Sequence, residues 1–297
     1  MWAALGAVYL IWGSTYLGIR LTVDSLPPFV SSAARFGLAA AVLAVILRVR
    51  RGPAALRVRL RELLGAALAG VLLLTFGNGM VVLAESGPAG SNVPSGVAAL
   101  LIATVPLLVV LLRAATGDRP RWPTVVGVIA GFAGLSVLVL PGGGGAAPLV
   151  KSLLVVLGAA AWSVGSLLAR WVALPADPFV AAVYEMITGA AVLLGVGLAR
   201  GELVGFSPAS VSATSWVALA YLMLAGSLVA FTAYVWLLQY APISLVSTYA
   251  YVNPVVAVAL GALVLAEPIG FRVLAGGAVV LLGVAIVVST ERRPAGR

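Results

Sequence analysis

The chain has 297 residues, of which 62% are hydrophobic and only 9% charged, with a mean hydropathy of +1.15. No soluble surface can be assembled from so few charges, so a lipid bilayer has to be its solvent. It holds no Cys and no His, which excludes disulfides, thiolate catalysis, zinc–thiolate sites and imidazole proton shuttles.

A helix that crosses the hydrocarbon core needs about 20 apolar residues. Ten segments of that kind follow one another at 2–20, 28–47, 62–85, 94–113, 122–140, 149–171, 178–199, 214–239, 242–265 and 269–290. Pro, Gly or charge separates them: Leu26-Pro27-Pro28, Arg48 to Arg61, Gly87 to Asn92, Asp118-Arg119-Pro120, Pro141 to Pro148, Leu174 to Pro178 and Glu267-Pro268. The weakest join is Gln239-Tyr240-Ala241-Pro242. No basic run precedes the first segment, so it reads as a retained span and not as a cleaved leader.

The net charge of +9 does not describe a nucleic-acid face, because the basic residues cluster between apolar spans. With both termini on one side, thirteen of the eighteen Lys and Arg fall on that side, including six from Arg48 to Arg61. Four fall on the other, and Arg35 lies within a span. The positive-inside rule then places both termini in the cytoplasm.

The halves repeat. At an offset of 150, Trp12 meets Trp162, Arg20 meets Arg170, and Pro28-Phe29-Val30 meets Pro178-Phe179-Val180. At 148, Pro94, Pro106 and Pro120 meet Pro242, Pro254 and Pro268; at 149, Gly127 and Gly134 meet Gly276 and Gly283. The expected division is a first five-helix repeat at 1–141, a Gly-rich linker at 142–148, a second repeat at 149–290 and a cytoplasmic tail at 291–297. Five is odd, so the second copy enters the membrane from the opposite face. An all-α fold of ten helices in two inverted repeats is the architecture of secondary transporters.

The start Ile11-Trp12-Gly13-Ser14, the run Pro94-Ser95-Gly96-Val97-Ala98-Ala99-Leu100-Leu101 ahead of Pro106, and the closing Ala266-Glu267-Pro268 resemble the EamA family of drug/metabolite transporters. The resemblance covers essentially the whole chain, although Ser86 to Asn92 departs from the tighter turn it implies. It implies a bacterial inner-membrane exporter of amino acids, aromatic ones included, with spans five and ten at the periphery of a cavity lined by the others. No cofactor or metal is expected, and the chain is expected to act as a monomer on a small-molecule substrate.

Polar groups inside a membrane are costly and default to function. Arg35 and Glu185 hold equivalent positions, each seven residues beyond an entry proline and so about 10 Å below opposite interfaces. Snorkelling and interfacial hydration are their bland alternatives. Glu85, at the far end of span three, falls at headgroup level or on the pathway. Asn78, Gln239 and Asn253 are either interhelical glue or cavity acceptors. Pro106 and Pro254 each free a backbone carbonyl and are expected to act as hinges, which is tolerated only against protein or a watery cavity.

Trp12 and Tyr16 lie one turn apart on span one, and Trp162 and Ser166 mirror them on span six. Trp2, Trp122 and Trp171 suit an interfacial belt; Trp12 and Trp162 sit too deep for one. Tyr249 and Tyr251 face different ways, so one of them looks inward. The cavity is therefore expected to be lined by spans one, three, four, six, eight and nine, with Trp12, Tyr16, Asn78, Trp162, Ser166, Tyr249 and Asn253 as its residues. Gly127 and Gly131, with Gly276, Gly277 and Gly283, are expected to serve close helix packing. An intramembrane enzyme would need a nucleophile–base pair or metal ligands, and no such constellation is present. A passive channel is the nearer alternative.

Overall fold

The computed structural model describes residues 1–88, 90–139, 148–168, 171–246 and 248–291; for Val139, Ile243, Ser244, Tyr251 and Glu291 it describes the backbone alone. The expected linker at 142–148, apart from Pro148, lies outside the described residues. So do Arg170 and the tail from 292.

Long helices account for nearly all of the described chain, and no strand occurs among the described residues. They are α1 (Trp2–Thr22), α2 (Pro28–Arg51), α3 (Leu60–Glu85), α4 (Ser95–Ala115), α5 (Trp122–Val139), α6 (Leu149–Leu168), α7 (Pro178–Ala199), α8 (Ala213–Tyr240), α9 (Tyr249–Leu265) and α10 (Phe271–Glu291). Eight of these are long and apolar enough to cross a membrane; α5 and α9 are shorter apolar helices. One helical turn, Ile243–Val246, precedes α9.

Their outward faces carry Leu38, Val45, Val49, Ile129, Val217, Leu263 and Leu282, all exposed. A soluble protein leaves no apolar surface on this scale. Apolar side chains both inside and outside are the mark of a chain dissolved in lipid.

The most extensive pairing joins α5 to α10, followed by α2 to α7. α1 packs on α8 and α9, α6 packs on α3 and α4, and α4 meets α9. Small residues bring α5 and α10 together, as expected. A Cβ on Gly283 would stand 2.6 Å from the Gly127 carbonyl oxygen and 2.7 Å from the Gly131 Cα.

Two helix starts are satisfied by carboxylates from other elements. Glu267 accepts from the Ser95 N–H at 2.9 Å, the Gly96 N–H at 3.3 Å and the Ser95 hydroxyl at 2.9 Å, so it caps α4. It is swung there by Ala266, which closes α9 in the left-handed region at φ 52°. Glu202 caps α2 in the same way, through the Phe29 and Val30 N–H groups at 3.0 Å. A carboxylate at a helix N-terminus meets both unpaired donors and the positive end of the dipole.

Three helices depart from regular geometry. α3 is π-helical from Val71 to Asn78 and α8 from Leu222 to Phe231. α4 is broken at Ala103–Thr104, just before Pro106. Pro254, by contrast, lies within continuous α9. At the sixth residue of the helix it removes one internal backbone bond, and the helix runs on past it. α2 also continues through Arg51, so three of the arginines assigned to a loop extend a helix instead.

Candidate functional site

α1 crosses the centre of the molecule and presents Trp12, Thr15, Tyr16 and Ile19 to a cavity. The π-helical part of α3 adds Leu74, Gly77 and Asn78; that of α8 adds Gly226 and Phe231. Each such stretch shifts the register of the side chains that follow it, which re-aims one face of a helix. Trp162 enters from α6, Ile102 from beside the break in α4, and Tyr249 and Asn253 from α9. α2, which the resemblance implies in the lining but the residue-based expectation left out, contributes Arg35 and Phe36. The cavity is small, about 60 Å³ in volume.

Four rings form one cluster: Trp12, Trp162 and Tyr249 on the cavity wall, with Tyr234 packed against them. The Trp12 centroid lies 5.4 Å from Trp162, 4.8 Å from Tyr234 and 5.5 Å from Tyr249, and Tyr234 is 5.4 Å from Trp162. Trp12 meets Trp162 and Tyr249 edge to face, the favoured arrangement of aromatic quadrupoles, while Tyr234 is tilted at 46° to Trp12 and 45° to Trp162. Hydrogen bonds fix the rings. The Trp12 indole N–H donates to the Gly226 carbonyl at 3.2 Å, and that of Trp162 donates to the Tyr234 hydroxyl at 3.0 Å. Ser166 shares a 2.8 Å bond with the same hydroxyl.

Six of the seven residues expected in the cavity line it: Trp12, Tyr16, Asn78, Trp162, Tyr249 and Asn253. Ser166 stands behind the wall and orients Tyr234. Of the two candidate tyrosines of α9, Tyr249 belongs to the cluster; the Tyr251 side chain lies outside the described residues. Asn253 does act as glue: its amide, turned to donate, reaches the Tyr9 carbonyl at 2.9 Å and the Tyr249 carbonyl at 3.2 Å. Asn78 leaves its Oδ1 buried without a partner. Gln239 reaches only the Pro175 carbonyl, at 3.5 Å, away from the cavity.

The charges divide. Arg35 borders the cavity, 4% exposed. Glu185 is also buried, with Oε2 unpartnered, but it does not line the cavity. Although α2 and α7 pack together, no ion pair joins the two among the described residues. Glu85 is fully buried with both oxygens unpartnered.

Sequence reasoning missed Tyr234, Gly226, Ser227 and Phe36. Tyr234 lies near the C-terminal end of α8, next to Trp236 and Tyr240, where aromatics suggest an interfacial belt, and it has no aromatic counterpart in the other half. No sequence signal singled it out.

A helical membrane protein whose spans enclose an aromatic cavity with unmatched polar atoms is built as a transporter of small solutes. The chain belongs to the EamA-like transporter family, whose model matches twice, over residues 1–140 and 150–289. It is 39% identical to the "Uncharacterized inner membrane transporter YedA" of Escherichia coli K12 over 88% of this chain and 81% of that protein. It is 32% identical to a "Probable terminal-alkyne amino-acid exporter" of Streptantibioticus cattleyicolor over 100% of this chain and 95% of the relative. A crystal structure at 22% identity shares the fold, with a TM-score of 0.69 over 98% of both chains.

Proposed function

We propose that this chain is a monomeric secondary transporter that exports small metabolites, neutral and aromatic amino acids foremost, across a bacterial inner membrane by alternating access. The carrying observation is the central cavity, to which helices of both halves contribute aromatic faces and the first half contributes two unmatched polar atoms, in an apolar surround. Aromatic faces suit an ammonium and an apolar side chain alike. The likeness to a named amino-acid exporter supports the same substrate class.

In this reading ten spans form two inverted five-helix repeats, with both termini and the stretch from Arg48 to Arg61 in the cytoplasm. Exchange of the halves sends the α1–α8 and α1–α9 contacts onto α6–α3 and α6–α4. It sends α5–α10, α2–α7 and α4–α9 onto themselves. The double family match supports the same division. Halves that can trade conformations supply the inward-open and outward-open states. Pro106, beside the break in α4, and Pro254 are the candidate hinges.

The test is counterflow in proteoliposomes with labelled neutral amino acids. Unlabelled substrate on the far side should stimulate uptake; flux without such stimulation would mean a channel. Transport should follow the solute's own gradient. If an imposed pH difference instead drives accumulation, and Glu185→Gln abolishes only that accumulation, then Glu185 is a proton carrier and the facilitator reading fails.

A further inference from the structure

The spanning region holds a buried guanidinium that no carboxylate neutralises. Arg35 enters no ion pair among the described residues. Its Nε donates to the Ser227 hydroxyl at 2.8 Å, and its guanidinium carbon lies 4.6 Å from the centre of the Phe36 ring. Nη1 is buried with no partner at all. An uncompensated cation at this depth is costly, and groups of that kind persist where they serve a passing solute. The fork of a guanidinium matches a carboxylate in both charge and shape.

The surroundings hold that fork in place. Ser227 fixes one edge, and Gly226 leaves room for another, since a Cβ there would stand 3.2 Å from Nη2. The Gly226 carbonyl is in turn bound by Trp12. Neighbouring residues of one π-helical stretch thus position both the cation and a ring of the aromatic cluster. Arg35 also borders a second, smaller pocket with Thr22, Ser31 and Ser32. It therefore stands between the cavity and the C-terminal end of α1.

The same cavity contains an unmatched group of the other kind, the buried Oδ1 of Asn78. A lone cation and a lone acceptor in one apolar chamber define a ligand with an anionic end, a donating end and a hydrophobic body. A polyamine would be repelled by Arg35, and a dianion would find a single cation.

We infer that Arg35 and Asn78 are the two poles of a zwitterion site, in which Arg35 takes the carboxylate of an α-amino acid and Asn78 accepts from its ammonium. The substrate's side chain lies against Trp12, Trp162 and Tyr249. This assignment rests on the amino-acid reading above, and it adds which residue holds which end.

The experiment takes a labelled neutral amino acid that the wild-type protein carries. It measures competition by the unlabelled amino acid, by its carboxamide and by its des-amino acid, in wild type and in Arg35→Gln, Arg35→Lys and Asn78→Leu. Gel filtration in detergent checks that each variant is folded. In wild type both analogues should compete about tenfold more weakly than the parent or worse, the worth of one charge-assisted hydrogen bond. Arg35→Gln should erase the preference for the parent over the carboxamide and keep the preference over the des-amino acid. Arg35→Lys should restore part of what is lost. Asn78→Leu should do the reverse of Arg35→Gln. A merely structural role for either residue would weaken all three ligands together and would overturn the assignment. If Arg35→Gln does not fold, the wild-type ratios still decide: a carboxamide that competes as well as its parent removes the site and leaves amino-acid transport standing. Wild type that carries no amino acid removes that reading, and the site with it.

Discussion

Tyr234 ties the aromatic cluster together through one oxygen. Its hydroxyl receives the Trp162 indole N–H at 3.0 Å and is bonded to Ser166 at 2.8 Å. Tyr234→Phe keeps the ring and its packing but leaves the Trp162 donor without a partner. A buried donor left unpaired costs about 1–3 kcal/mol. The variant should unfold at lower temperature in detergent and show weaker counterflow, and Ser166→Ala should lose less, because Trp162 keeps its acceptor. Equal stability of Tyr234→Phe and wild type would show that the bond does not hold Trp162 in place. Trp12 and Trp162 could be picked out because a mid-span tryptophan contradicts a belt role. The partner hydroxyl could not, since only folding brings residues 162 and 234 together.

At the scale of elements, the α5–α10 pair is held by close backbone contact more than by interlocking side chains. Gly283 on α10 approaches Gly127 and Gly131 so closely that any Cβ would meet main-chain atoms, which cannot swing aside as a side chain can. Gly283→Val should therefore force the helices apart and destabilise the protein by about 1–3 kcal/mol. The measurement is thermal unfolding in detergent. Because this pair contributes nothing to the cavity lining, the fraction that remains folded should keep its substrate preference. A shift in preference would mean that the pair reaches the cavity after all. The glycines were legible from their spacing and their repetition at an offset of 149. The π-helical stretches were not, since neither carries a local sequence mark.

For the whole molecule, the distribution of charge predicts the arrangement in the membrane. The turn at Pro53–Leu56 joins α2 to α3 among arginines, and the segment from Ser86 to Pro94 joins α3 to α4 at the other end of α3. In this cysteine-free chain, Ala55→Cys and Ser91→Cys give single labelling sites at those two ends. In intact cells an impermeant maleimide should reach position 91 and not position 55, and permeabilisation should expose both. Labelling of both in sealed cells would overturn the cytoplasmic placement of the arginine-rich stretch. The positive-inside rule carries this expectation because each Arg resists translocation on its own, whatever the helices later do.

Hydrocarbon thickness acts on each segment separately, so sequence alone located the apolar segments, eight of them helices long enough to cross a membrane and two shorter, while ends such as the extension of α2 to Arg51 were left to the structure. Every backbone N–H and C=O must be satisfied within its own helix, which makes length and composition sufficient. The repeat was legible for a related reason, since prolines, tryptophans and glycines at near-constant offsets survive as letters. Which face of each helix looks inward was left to the tertiary structure. In water an apolar stripe marks the inside; in lipid both faces of a helix are apolar, and Leu263 outside differs little in chemistry from Leu107 within. The burial of Glu85, the turning of Arg35 towards Ser227 instead of Glu185, and the entry of α2 into the cavity wall were therefore decided by packing. Helices seat where small residues permit close approach and where the few polar atoms find partners, and neither condition can be read along a single strand of sequence.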